Sequence, residues 1–236
     1  MTERMAGHVA SDALFGGALC VAAWLLVTLA AGSTLSFLCD GAGTLGTVIG
    51  GAVAIAVAHR SRESLCGPRR AAIPTSLAAD GWPSIALAVT LALRGLAGGD
   101  VPDVLTVTVQ ALATAVGEEL VFRRALLAEL APLGPTAACV GSTAVFAAAH
   151  ALGVPAALVP LRVAEAFGFG LFLSSEVWGG ISLPRAMGFH LAFDLALGLA
   201  TGPAVPAWAL LLTGLVVAVQ LGVAGGLRLV ELRQGR

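Results

Sequence analysis

Two adjacent glutamates in an apolar stretch are the first residues of this sequence that could do chemistry. Glu118 and Glu119 stand between Ala115 and Leu127, where most other residues are apolar. A charge near the centre of a bilayer costs on the order of 3 kcal/mol on insertion scales, so ionisable groups at that depth usually face a partner or a wet cavity and serve a function. Desolvation also makes a carboxylate a stronger base, which allows it to take a proton from water near neutral pH. The pair is therefore the first candidate for a reactive group.

Helical spacing predicts that the two carboxylates point in different directions and have different partners. Glu119 and Arg123 are four residues apart, so on a helix they share one face and can form an ion pair, which at this spacing is more often structural than catalytic. Glu118 lies about 100° around the helix from Glu119, so it should point elsewhere and lack that partner. We therefore expect Glu118 to be the reactive carboxylate, with Glu119 and Arg123 in supporting roles.

Two later apolar segments each carry a histidine in a four-residue pair. Phe146 and His150 form an F-x-x-x-H pattern, and His190 and Asp194 form an H-x-x-x-D pattern, so each pair shares a helix face. No other histidine of the sequence lies inside an apolar segment. Phe146 is typical of packing or of a wall beside a site, whereas the two histidines and the aspartate can take part in chemistry.

Together with Glu118, these side chains could hydrolyse a carbonyl compound. A water held between Glu118 and His150 could lose a proton to the glutamate and attack a carbonyl carbon. His190, oriented by Asp194, could donate to the oxygen that gains charge, as an oxyanion hole does. The same two imidazoles and two carboxylates could instead hold a zinc ion. Spacing alone leaves both versions open.

Composition places these residues in a membrane protein. The chain of 236 residues is 58% hydrophobic and 11% charged, with a mean hydropathy of +0.93, whereas a soluble domain carries about 25% charge. A net charge of -1 argues against a nucleic-acid partner. The length suits one domain, so we predict a single multi-pass, all-α membrane domain over residues 1–236, in contact with the lipid bilayer.

Apolar runs of suitable length predict about eight transmembrane helices, with the polar site buried between them. The predicted segments are residues 13–38, 44–58, 83–98, 103–117, 135–151, 155–175, 186–201 and 204–227. If both termini are cytoplasmic, nearly all arginines fall on the cytoplasmic side and the outer loops carry none, as the positive-inside rule expects. Arg162 lies within a span, and Glu165 three residues later indicates an internal pair or the lining of a gate, which we leave outside the site.

The three motifs, in this order, resemble those of a known family. E-E-x-x-x-R from Glu118, F-x-x-x-H from Phe146 and H-x-x-x-D from His190 are similar to the motifs of the CPBP (CAAX protease and bacteriocin-processing) intramembrane proteases. That family includes the type II CAAX prenyl endopeptidases and the bacterial Abi and bacteriocin-immunity proteins. The resemblance covers roughly residues 103–201, which correspond to the usual core of the family.

The resemblance implies peptide-bond hydrolysis within or near the membrane. Glu118 and His150 would activate the water, while His190 and the residue at position 194 would stabilise the oxyanion. Many members have asparagine where this chain has Asp194, and an ionised aspartate cannot donate a hydrogen bond to an oxyanion. Asp194 could instead fix the tautomer of His190, stay protonated or ligate a metal. We favour a metal-free mechanism, with zinc as the alternative.

Two other functions are compatible with the same residues. One is a non-catalytic immunity or abortive-infection partner of the same fold, in which the polar core serves folding or binding. The other is a small transporter with a carboxylate proton relay, although the sequence lacks the clear internal repeat expected of a transporter. As an enzyme, the chain would act on a protein or peptide substrate, which could be prenylated, and we expect it in a bacterial inner membrane.

Overall fold

The computed structural model of this chain describes residues 77–97, 104–152, 154–200 and 205–234, together with positions 11, 12, 14, 15, 18, 22 and 49. Every element within these ranges is helical, in agreement with the predicted all-α class. The first two predicted spans, residues 13–38 and 44–58, lie outside the described residues except for those single positions.

The described helices are numbered α1 to α7 in chain order. They are α1 (Leu77–Ala97), α2 (Val104–Glu118), α3 (Leu127–Leu130), α4 (Pro135–Ala149), α5 (Val159–Trp178), α6 (Leu183–Ala200) and α7 (Ala207–Gln234). A π-helix (Glu119–Leu126) joins α2 to α3, and two 3-10 turns, Ala131–Leu133 and Ala156–Leu158, follow α3 and precede α5. The stretch from α2 to the first of these turns is one continuous helical rod.

Membrane character is visible in the length and the surface of these helices. Three helical stretches of the described residues are long and apolar enough to cross a membrane, namely Val104–Leu133, Ala156–Trp178 and Ala207–Gln234. Ser84–Gly95 and Pro135–Ala149 are apolar but shorter. Large apolar side chains such as Leu112 on α2 and Val219 on α7 are exposed. These features support a membrane protein, while the full set of eight spans stays a prediction.

Glycine and proline end the helices where the sequence predicts boundaries. Gly134 has a φ of 89° and Gly180 a φ of 107°, a backbone conformation that favours glycine because it has no Cβ atom. Pro135 is the first residue of α4. A backbone N–H at this position would have no partner within the helix, so proline costs no hydrogen bond there. The turn at Gly134 allows α4 to run opposite to the preceding rod, and the turn at Gly180 allows α6 to run opposite to α5.

Because the long helices alternate in direction, their ends gather at two ends of the bundle. The turns at Gly134 and Gly180 lie at one end, which we call the Gly134 end. The last turns of α7 lie there too, because Arg228 is 3.9 Å from Glu176 near the end of α5. The turn that follows His150 lies at the opposite end, which we call the His150 end.

Helices α5 and α7 run parallel and pack at backbone distance. A Cβ atom added to Gly168 would lie 2.6 Å from the carbonyl oxygen of Ala218, and one added to Gly225 would lie 2.7 Å from the backbone nitrogen of Phe172. Small residues allow helices in lipid to approach this closely. The two glycines therefore set the position of α5, which forms one wall of the polar site described below.

We predict that Gly225→Val destabilises the protein and that Gly226→Val does not. The valine at position 225 would meet the backbone of α5, which cannot move aside as a flexible side chain could, whereas nothing lies within 4 Å of a Cβ atom at position 226. Overpacking of this kind costs roughly 1–3 kcal/mol. Thermal unfolding of the two purified variants in detergent would measure the difference. Equal unfolding midpoints would contradict the close packing of α5 against α7.

Candidate active site

The two glutamates lie where the α-helix changes into a π-helix. Glu118 is the last residue of α2, and Glu119 is the first residue of the π-helix. In a π-helix each hydrogen bond spans five residues instead of four, so a turn holds more residues and successive side chains are rotated by a smaller angle. Such turns are frequent at functional sites. Here the π-helix contributes to placing both carboxylates on the side of the helix that faces α6.

Both carboxylates reach His190 on α6. Nδ1 of His190 is 2.9 Å from Oε1 of Glu119, and Nε2 of His190 is 3.7 Å from Oε2 of Glu118. Nε2 also lies 3.3 Å from Oδ2 of Asp194. The described ion pair of Arg123 is with Glu119, so Glu118 lacks that partner as expected. The side chain of Glu118 nevertheless converges with that of Glu119 on one imidazole, which the helical spacing did not predict. An ionised Glu119 only accepts hydrogen bonds, so its contact places a proton on Nδ1 of His190.

The Nε2 atom of His150 faces Glu118, because the Nδ1 atom is engaged by a backbone carbonyl. Its Nδ1 atom is 2.9 Å from the carbonyl oxygen of Phe146, and a carbonyl only accepts, so Nδ1 is the donor. Nε2 is then the unprotonated nitrogen of the neutral ring, and it lies 4.0 Å from Oε2 of Glu118. This distance is too long for a direct hydrogen bond but suits a water that bonds to both atoms. The structure thus brings together the two groups that the sequence analysis selected to bind the water.

Arg123 is a fully buried cation that supports the site through its contact with Glu119. Nη1 of Arg123 is 3.2 Å from Oε1 of Glu119, which confirms the predicted ion pair, and both side chains have no exposed surface. The guanidinium carbon lies 4.2 Å from the centre of the Phe146 ring, within the range of a cation–π interaction. Phe146 in turn packs against the His150 ring at a centroid distance of 4.4 Å. The predicted wall residue therefore touches both the cation and an imidazole.

A small cavity of about 30 Å³ adjoins the two imidazoles. It is lined by Phe146, His150, Arg162, Glu165, Ala166, Phe169, His190, Phe193, Asp194 and Leu197. A water needs roughly 10–15 Å³, so the cavity has room for one beside the two imidazoles. Arg162 and Glu165 form a 3.0 Å contact at this cavity, although the sequence analysis left them outside the site. Their three-residue spacing signalled the pair, but nothing in the sequence placed the pair beside His150.

The zinc alternative concerns the donor atoms of these same side chains. Among the described residues, no group of three or more histidine, cysteine, aspartate or glutamate side chains could hold a metal ion. Nδ1 of His190 is engaged by Glu119, and Nδ1 of His150 by the carbonyl of Phe146, which leaves Nε2 of both rings facing Glu118. The zinc alternative stays a prediction, and the mechanism below uses protein groups and water.

Comparison with protein-family models matches residues 100–196 to the family described as type II CAAX prenyl endopeptidase Rce1-like. The match contains every predicted site residue from Glu118 to Asp194. It confirms the resemblance that the three motifs indicated. No curated protein and no solved structure matches the chain.

We predict that Arg123→Leu destabilises the protein strongly, whereas Arg124→Leu has a small effect. Removing one partner of a buried ion pair leaves an uncompensated charge and costs roughly 3–5 kcal/mol. Arg123 has no exposed surface, while the neighbouring Arg124 is only partly buried. Denaturant unfolding of each variant in detergent would measure the loss of unfolding free energy. Similar losses for the two variants would show that the Glu119 pair has no special role.

Proposed function

We propose that this chain is an intramembrane endopeptidase that uses an activated water. Its residues 100–196 match the Rce1-like type II CAAX prenyl endopeptidase family. The main support is the position of Oε2 of Glu118, 4.0 Å from Nε2 of His150 and 3.7 Å from Nε2 of His190. This carboxylate oxygen is buried and, among the described residues, has no hydrogen-bond partner. Burial without a partner is costly, so a carboxylate held in this state is suited to binding a water or a reacting group.

In the proposed reaction, Glu118 is the general base and His150 helps to hold the water. As the water oxygen attacks the carbonyl carbon of the scissile bond, its proton passes to Glu118. Nε2 of His190, when protonated, donates to the oxygen that gains negative charge. Glu118 then returns the proton to the amide nitrogen as the carbon–nitrogen bond breaks. The products are a carboxylic acid and an amine, and the glutamate ends ionised, as it began.

The neighbouring groups act through His190. Glu119 accepts from Nδ1 and sets the orientation of the ring, and Arg123 holds Glu119 in place. Asp194 lies 3.3 Å from Nε2, which favours a role in positioning that nitrogen over direct donation to the oxyanion. With Glu119 accepting from Nδ1, an ionised Asp194 that accepts from Nε2 favours the protonated ring of His190, a role that the sequence analysis did not name. We therefore place Asp194 with the positioning residues.

The arginines of the described helices support one orientation in the membrane. Arg124, Arg185, Arg228 and Arg233 lie towards the Gly134 end, whereas Arg94 and Arg162 lie towards the His150 end. The positive-inside rule then favours a cytoplasmic Gly134 end, with both termini on that side and the cavity nearer the opposite face. We propose a multi-pass protein of the cell membrane, in a bacterial inner membrane, with a single domain over residues 1–236 and a catalytic core over residues 103–201.

We predict that a membrane-impermeant maleimide labels Leu152→Cys in intact cells but labels Ser182→Cys only after permeabilisation. Both positions are exposed and lie in turns at opposite ends of the bundle. The variants would be made in a chain whose four native cysteines are changed to alanine. The reverse labelling pattern would place the Gly134 end outside and contradict the proposed orientation.

We predict that Glu118→Gln abolishes proteolysis without unfolding the protein, because glutamine cannot take a proton from water. Loss of a general base lowers a rate by roughly 10²–10⁴-fold. Peptide termini would be compared in host membranes that carry the wild type, Glu118→Gln or Glu129→Gln at equal abundance. Glu129 is a matched control, because it lies on the same helical rod and outside the site.

Termini that are present with the wild type and Glu129→Gln, and absent with Glu118→Gln, would identify the enzyme and its substrate together. His150→Ala and His190→Ala should lose the same termini. Identical termini in all of these membranes would contradict the protease proposal. They would favour the alternative that the chain is a non-catalytic immunity or abortive-infection partner.

A further inference from the structure

The π-helix that carries the site is contacted by a buried serine from another helix. Oγ of Ser142, on α4, donates to the carbonyl oxygen of Phe122 at 2.7 Å. Phe122 lies within the π-helix, and Ser142 has no exposed surface. Ser142 does not line the cavity, and the proposed mechanism gives it no task. Any effect of this hydroxyl on the reaction therefore passes through the backbone of the π-helix.

The carbonyl that Ser142 contacts takes part in the hydrogen bonding that defines the π-helix. The oxygen of Phe122 also accepts the backbone N–H of Leu127, five residues later. In an α-helix the same oxygen would accept from the residue four positions later. A carbonyl oxygen has two lone pairs, so it accepts the serine hydroxyl and the π bond together. Because π-helices are rare, a contact from outside the segment helps to hold this register, and the Ser142 hydroxyl supplies one.

Ser142 also shares a helix face with two residues of the site. Ser142, Phe146 and His150 follow one another at four-residue spacing. Because α4 runs opposite to the rod, these three residues meet the rod at successive levels. Ser142 bonds to the backbone of Phe122, and the Phe146 ring packs edge-on to the Phe122 ring at a centroid distance of 5.1 Å. Nε2 of His150 then faces Glu118 at 4.0 Å. A change of register at Ser142 therefore alters the spacing between His150 and Glu118.

We infer that Ser142 is a positioning residue, which holds the π register through the carbonyl of Phe122 and so fixes the distance between Glu118 and His150. This inference rests on the proposed peptidase function and adds to it a residue outside the three motifs. Ser142 touches neither the water nor the substrate. Without its hydroxyl, the protein still folds, but the pair that binds the water loses its fixed spacing.

Ser175 provides the matched control. It is also a buried serine whose hydroxyl donates to a backbone carbonyl, that of Phe172 at 2.8 Å, but this carbonyl belongs to its own helix. Ser175→Ala therefore removes a similar hydrogen bond without releasing a contact between two helices. Full-length Ser142→Ala, Ser142→Cys and Ser175→Ala would be purified in detergent. Ser142→Cys is close to serine in size and carries both measurements below if Ser142→Ala does not fold.

The first measurement is amide hydrogen exchange, which requires no substrate. Mass spectrometry would follow exchange in a proteolytic fragment that contains residues 119–127, with a fragment of α7 as the internal reference. We expect roughly tenfold faster exchange in the first fragment for Ser142→Ala, because one hydrogen bond to the π-helix is lost. Exchange in this fragment should keep its wild-type rate in Ser175→Ala. A purely global loss of stability would instead speed exchange in α7 as well.

The second measurement separates kcat from KM. The substrate would be a synthetic peptide that spans the Glu118-dependent terminus found in wild-type membranes. We expect kcat to fall by roughly 10–100-fold in Ser142→Ala, since a small misplacement of reacting groups has an effect of this size, while KM stays unchanged. Ser142→Cys should give an intermediate kcat, because a thiol is a weaker donor than a hydroxyl. Ser175→Ala should retain the wild-type kcat.

Three results would overturn the inference. They are wild-type exchange of residues 119–127 in Ser142→Ala, a kcat equal to that of Ser175→Ala, and a change confined to KM. The proposed function fails through a different observation, namely the absence of Glu118-dependent termini in membranes. In that case faster exchange of the π-helix in Ser142→Ala would still show the structural contact, while its role in catalysis would fall with the proposed function. The two failures can therefore be told apart.

Discussion

Glu119 is the residue on which the arrangement of the site depends, because it joins a cation and an imidazole where neither is in contact with bulk water. Its Oε1 atom lies 3.2 Å from Arg123 and 2.9 Å from His190. In a low-dielectric interior, removing one partner of such a group leaves a charge that nothing compensates. The hydrogen bond to His190 spans 71 residues of sequence. It therefore holds the π-helix and α6 in one register and fixes the ring that faces the cavity.

An aromatic layer surrounds this charged group and separates it from the cavity. Phe146 lies against Arg123 on one side and His150 on another, and Phe169 packs edge-on to His190 at a centroid distance of 4.9 Å. Apolar walls keep water away from the fixed charges, and interactions between charges are stronger where the dielectric constant is low. The same walls limit motion of both imidazoles and so help to fix the distances from the imidazoles to the carboxylates.

Adjacent residues of one helix thus have different tasks, since their surroundings differ. Glu119 is fully buried and committed to two partners, whereas Glu118 is partly exposed and faces two imidazole nitrogens beside the cavity. In the proposed mechanism, Glu119 is therefore the supporting carboxylate and Glu118 is the one that transfers the proton. The transition from α2 to the π-helix lies between them, which is consistent with the frequent occurrence of such turns at functional sites.

By itself, the sequence determined the helical class, the membrane character, the turn residues and the pairs spaced by four, because these follow from composition and periodicity within one segment. The Glu119–Arg123 ion pair could be predicted for that reason. Only the tertiary structure decided that His190 meets both glutamates and that Arg162 lines the cavity. These contacts join distant segments, and they depend on a π turn and on backbone packing of α5 against α7, neither of which a regular helical period encodes.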